Sequence, residues 1–175
     1  MKKSLMLLAL LGVSFSAMAE HSVVHSMAET AKQNTYVGAS LGVSHLSEGT
    51  DRKDVAVMVN AGTKLHKNFG VEASYAYLND VHGDVNFNAL DLSAKAYYDL
   101  TDSVEVSAKA GAALTLMGGR HRANDNWGTS WVVGAGAAYK YSNDVALTAD
   151  VVHYTNLGDQ SVDATVATAG VRYTF

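Results

Sequence analysis

The feature that most constrains this chain is a period of two in side-chain character, kept in one phase through eight successive segments. In the last of them Phe175, Tyr173, Val171, Ala169 and Ala167 are apolar or aromatic, while Thr174, Arg172, Gly170 and Thr168 between them are polar or small. Alternation of this kind gives a strand one oily face and one polar face. Seven earlier segments repeat it, at about 35–45, 55–65, 69–78, 88–98, 104–117, 129–141 and 145–155. Their oily positions include Val37 and Leu41, Val57 and Val59, Val71 and Tyr75, Leu90 and Leu92, Val106 and Leu114, Trp131 and Val133, and Leu147 and Val151. The charged residues Lys64, Glu72, Asp91, Lys95, Glu105, Lys109, Lys140, Asp150 and Arg172 all share the opposite phase.

Charges on the shared polar face, with lipid-like residues on the other, invert a water-soluble barrel, whose interior is oily. Strands of about ten residues cross a bilayer at a tilt, and membrane barrels place lipid outside and polar groups inside. The connections alternate: polar stretches at 47–54, 79–86, 118–128 and 156–162, and tight links at His66-Lys67-Asn68, Leu100 to Ser103 and Ser142-Asn143-Asp144. Short turns at one end and longer loops at the other suit such a barrel. The absence of proline fits a chain made mostly of paired strands, because proline cannot donate to a ladder. The expected fold is therefore all-β, an eight-stranded antiparallel up-and-down transmembrane β-barrel over 35–175.

Met1-Lys2-Lys3, the apolar run Leu5 to Phe15 and Ala17-Met18-Ala19 read as a signal peptide over 1–19, cut before Glu20. The apolar run is too short for a membrane helix. Residues 20–34 read as a short periplasmic tail; His21 and His25 lack a third ligand and read as solvated side chains, so no metal is expected. There is no cysteine, which excludes disulfides and thiol chemistry. With Lys2 and Lys3 removed, 11 Lys plus Arg face 17 Asp plus Glu, a net charge of −6 that gives no footprint for nucleic acid. No cofactor is expected.

The ending Val171-Arg172-Tyr173-Thr174-Phe175 resembles the closing strand of small OmpA-type outer-membrane barrels, and the likeness extends in pattern over 35–175. The resemblance implies that Tyr173 and Phe175 act as an assembly signal for the outer-membrane barrel assembly machinery. It also implies an acid, a lysine, an acid and an arginine on strands three, five, seven and eight; here these are Glu72, Lys109, Asp150 and Arg172. With Lys95 they form an expected interior charge network, in which Glu72 and Asp150 are bridged by Lys109, Arg172 and Lys95. Such a network fills space and fixes register, or gates a narrow porin-like pore. The chain ends at Phe175, so the peptidoglycan-binding domain of some such proteins is not expected to follow.

Outward aromatics fall near strand ends: Tyr77 and Trp131 on the loop side, and Phe69, Tyr98, Tyr139, Tyr141, Tyr173 and Phe175 on the turn side. They read as interfacial girdles. One motif raises catalysis. His153-Tyr154-Thr155-Asn156-Leu157-Gly158 is similar to the His-x-Ser-Asn-x-Gly stretch of lipid A deacylases. That resemblance implies His153 as base, Thr155 as nucleophile, and Asn156 and Gly158 as oxyanion donors, with Asp163 orienting the histidine. OmpA-type barrels also carry Thr-Asn followed by Gly-Asp here, as Thr155-Asn156 and Gly158-Asp159 do. Expected partners are outer-membrane lipid and lipopolysaccharide, whose phosphates Arg120 and Arg122 could meet, and the expected state is a monomer. The favoured reading is a structural or cell-surface interaction barrel in the bacterial outer membrane, with the deacylase and the narrow pore as alternatives.

Overall fold

The computed structural model describes residues 34–46, 53–79, 85–119, 126–155 and 163–175. Eight strands follow one another: β1 (Thr35–Leu46), β2 (Lys53–His66), β3 (Phe69–Asn79), β4 (Val85–Asp99), β5 (Val104–Gly119), β6 (Asn126–Lys140), β7 (Val145–Thr155) and β8 (Ala164–Thr174). Each pairs antiparallel with the next, and β1 pairs with β8 to close the barrel. Closure leaves no open edge, which a sheet in lipid requires. Phe175 N donates to Thr35 O at 2.9 Å, so the last residue is tied to the first strand.

β2, β4, β5 and β6 run two or three residues further toward the loop end than the apolar alternation indicates. The alternation marks where lipid is; the hydrogen-bond ladder continues beyond it with residues such as Asn86. The expected signal peptide, the tail up to residue 33, and most of the four loops lie outside the described residues.

Two of the tight turns share one chemistry. Thr101 Oγ1 accepts from Val104 N at 3.0 Å, and Ser142 Oγ accepts from Val145 N at 3.1 Å. A hydroxyl that binds backbone three residues on fixes a short turn. At the third link the β2–β3 register shifts between Lys64 and His66.

The two faces separate as the alternation requires. Leu41 is 64% exposed and Trp131 71%, with Leu90, Leu92, Val133 and Val151 also outward. Among the described residues no second layer covers this surface, so its large apolar area needs lipid. Phe69, Tyr98, Tyr139, Tyr141, Tyr173 and Phe175 are exposed on the turn side, and the Tyr173 and Phe175 rings meet edge-to-face at 5.2 Å. Inside, the lumen holds two kinds of material. Glu72, Lys95, Glu105, Lys109 and Arg172 are buried toward the turn side, with Asp91 buried at mid-strand. A contiguous apolar cluster of Ala56, Met58, Ala76, Ala89, Ala113, Val132, Val152, Tyr154, Ala164 and Val166 lies toward the loop side.

Candidate functional site

The lumen of an eight-stranded barrel is just wide enough for side chains to fill, so any inward charge meets partners from other strands. Glu72 on β3 is 2% exposed and is the hub. Its Oε2 accepts from Lys95 Nζ on β4 at 2.9 Å, Tyr36 Oη on β1 at 2.8 Å and Asn60 Nδ2 on β2 at 3.3 Å. Its Oε1 accepts from Lys109 Nζ on β5 at 3.4 Å. Lys109 Nζ also reaches Ser74 Oγ at 3.2 Å and Asp91 Oδ1 at 3.5 Å, and Tyr154 Oη donates to Asp91 Oδ2 at 3.2 Å. Groups from six strands thus meet around two carboxylates.

A second cluster sits nearer the turns. Glu105, at the start of β5, pairs with Lys64 on β2 and with Arg172 on β8, the latter at 2.9 Å. The Arg172 contact is an ion pair without good hydrogen-bond alignment, since Glu105 Oε1 has no bonded partner. Two rings join the clusters: Tyr36 and Tyr97 hydroxyls lie 2.8 Å apart, Lys64 Nζ lies 4.5 Å from the Tyr97 ring centre, and Arg172 lies 5.3 Å from that of Tyr36. Cations over aromatic faces add to the electrostatic support.

The expected network is therefore rearranged. The structure brings Glu72, Lys95 and Lys109 together, but it pairs Arg172 with Glu105 and gives Asp150 no ion pair among the described residues. The side-chain lengths explain the difference. Asp150 has a short arm, and its carboxylate fills the room left by Gly136, where a Cβ would lie 3.0 Å from Asp150 Cγ. Glu105 has the longer arm. Asp91, Glu105, Lys64 and the tyrosines Tyr36, Tyr97 and Tyr154 are the members that the sequence reading of the network left out. Their only signal was shared phase with Glu72.

On the outer face, His153 and Thr155 both point away from the lumen, as expected. Yet His153 Nδ1 lies 3.0 Å from Thr165 Oγ1, its register partner on β8. That ring nitrogen is engaged across the strands, not along β7 toward Thr155. Asn156 and Gly158 lie outside the described residues.

Residues 5–175 match the family described as "Outer membrane protein beta-barrel domain". The chain belongs to this family. Its place is thus the bacterial outer membrane, and the apolar outer face described above is the face that meets lipid. Among solved structures, Neisserial surface protein A is 20% identical with a TM-score of 0.69, over 81% of this chain and 97% of that one. The N-terminal β-barrel domain of Pseudomonas aeruginosa OprF is 18% identical with a TM-score of 0.62, over 82% and 98%. Ail, the attachment invasion locus protein of Yersinia pestis, is 15% identical with a TM-score of 0.60, over 82% and 99%. These likenesses concern the fold. No curated protein matches the sequence.

Proposed function

We propose that this chain is a structural and cell-surface interaction barrel, exported through the periplasm, with a lumen closed to steady ion flow. The observation that carries the reading is the filled interior: Glu72 draws side chains from β1, β2, β4 and β5 across the lumen, and the buried cluster with Met58, Val132, Val152 and Val166 fills it nearer the loop end. A porin needs a continuous aqueous path, and these side chains occupy its place. A barrel with a closed lumen acts on other molecules through the surface it presents. Two fold neighbours, a surface protein and an attachment invasion locus protein, support that reading. Tyr173 and Phe175, packed on each other at the last strand's end, support recognition by the barrel assembly machinery. The test is single-channel recording of refolded protein in planar bilayers at neutral pH. No steady current is expected; stable openings would put the porin reading first.

The deacylase reading is weaker on a specific observation. A nucleophile and its base must come within hydrogen-bond reach, and among the described residues the one hydrogen bond of the His153 ring runs to Thr165 across the strands, with none to Thr155. The β-branched Thr155 is also stiff at its first torsion, which limits its approach to base and ester together. Overproduction is accordingly expected to leave every acyl chain of lipid A in place by mass spectrometry. Loss of one chain, abolished by both His153→Ala and Thr155→Ala, would make the protein an enzyme.

A further inference from the structure

We infer that the lumen is sealed by its apolar layer and not by its ion pairs, so that the barrel is a wet vestibule open to the periplasmic side and closed by a dry septum. The inference rests on the closed-lumen reading above and assigns the closure to particular residues.

The periplasmic mouth holds a pocket of about 150 Å³ lined by Lys64, Lys140, Asp144 and Arg172 among others. Arg172 also lines a second, smaller cavity of about 10 Å³ with Asn60, Lys95, Thr148 and Asp150. That volume is near the least that admits one water, which also needs polar partners. Partners are present: Arg172 Nε is buried without a hydrogen-bond partner among the described residues, and Asp150 has no ion pair there. Buried polar groups are nearly always satisfied by protein or by ordered water. The ion-pair level is therefore the wet side of the lumen, and water reaches it from the mouth through the space that Arg172 borders.

One inward step further along each strand the chemistry changes. Asn60 gives way to Met58, Gly134 to Val132, Asp150 to Val152 and Thr168 to Val166, while Ser74 and Asp91 give way to Ala76 and Ala89. Strands β2 to β8 all contribute to this layer, which is buried throughout. The polar groups beside it are uncharged hydroxyls: Ser44, Thr115 and Ser130, all buried, are the register partners of Val166, Ala89 and Ala113. An ion in the vestibule can exchange its water for Glu72, Asp91 or Lys109. Among the septum residues it finds no charged group, the Tyr154 hydroxyl being engaged by Asp91, and a largely apolar constriction bars ions by excluding water.

Because the two layers are separate, substitution can separate them. Lys109→Gln alters the ion-pair layer, and Met58→Ala/Val152→Ala/Val166→Ala thins the septum. Each variant is refolded, its folded form verified by the mobility difference between heated and unheated gel samples, and recorded in planar bilayers. The wild type and Lys109→Gln are expected to stay silent, and the septum variant to pass current where both are silent. If the triple variant does not fold, Met58→Ala alone replaces it, with a smaller rise of the same sign expected. A folded septum variant that stays silent overturns the inference, and so does current through Lys109→Gln. Current through the wild type itself overturns the closed-lumen reading instead.

Discussion

Replacing Glu72 by Ala is expected to lower the unfolding free energy of the barrel by about 3–5 kcal/mol, the cost of leaving buried charges without their partner. Glu72 is the only acid within ion-pair distance of Lys95 among the described residues, and one of two for Lys109. Its removal leaves the Lys95 ammonium, 6% exposed, with no ion-pair partner among the described residues, over the Tyr97 ring at 5.9 Å. It also takes the acceptor from Tyr36 Oη and Asn60 Nδ2, and each unsatisfied buried donor costs about 1–3 kcal/mol. Some of this overlaps, so the total stays near the range for a broken buried pair. Lys140→Ala provides the contrast. Its pair with Asp99 is 2.8 Å long but both side chains are more than a third exposed, and such pairs contribute about 0–1 kcal/mol. Urea titration of refolded protein in liposomes, followed by tryptophan emission, measures both. A Glu72→Ala loss no larger than that of Lys140→Ala would mean that Glu72 compensates nothing.

The fold was legible because a membrane barrel writes itself as alternation, and alternation needs no knowledge of which strands meet. Phase alone separates Val57 from Met58 or Tyr98 from Tyr97, and the exposures follow it. Strand ends were less legible. Asn86 reads as loop by polarity, yet it pairs with β3, since a ladder in water has no need of an oily side chain. The lumen was legible in membership and not in pairing. Glu72 and Lys109 are on strands two apart, and whether their side chains meet depends on strand tilt and stagger, which leave no mark in the sequence. The same holds for Arg172, whose partner Glu105 lies three strands away around the closed sheet. The septum was visible only as lapses of alternation. Val55 to Val59, Trp131-Val132-Val133 and Val151-Val152 are apolar on both faces. Such lapses look like noise until a lumen is there to receive the inward member.

Gly42→Val is expected to abolish the closed barrel. Gly42 lies on the inward face of β1 at the β1–β8 seam, paired with Thr168 on one side and with Ala56 on the other. A Cβ there would lie 2.7 Å from Thr168 Cα and 2.8 Å from Ala167 C, and closer still to the Ala167 carbonyl oxygen. These are backbone atoms of the neighbouring strand, so no rotamer change relieves them. Either the seam opens or β8 shifts its register, and a one-residue shift would turn Arg172 toward lipid and Tyr173 into the lumen. Overpacking a core typically costs about 1–3 kcal/mol and occasionally more; here the whole of it falls on the pairing that removes the sheet's two edges. Gly38→Val, also on β1 and also inward, separates this from a general intolerance of side chains. A Cβ at Gly38 would mainly meet the Asn60 side chain, with Val171 O at 3.3 Å, and a side-chain amide can move. The heat-sensitive fast-migrating band on gels reports the closed form, and the expectation is that Gly38→Val retains it in part and Gly42→Val does not. A Gly42→Val protein that refolds to the full heat-sensitive band, with wild-type urea resistance, would show that the seam can part from its observed spacing at little cost.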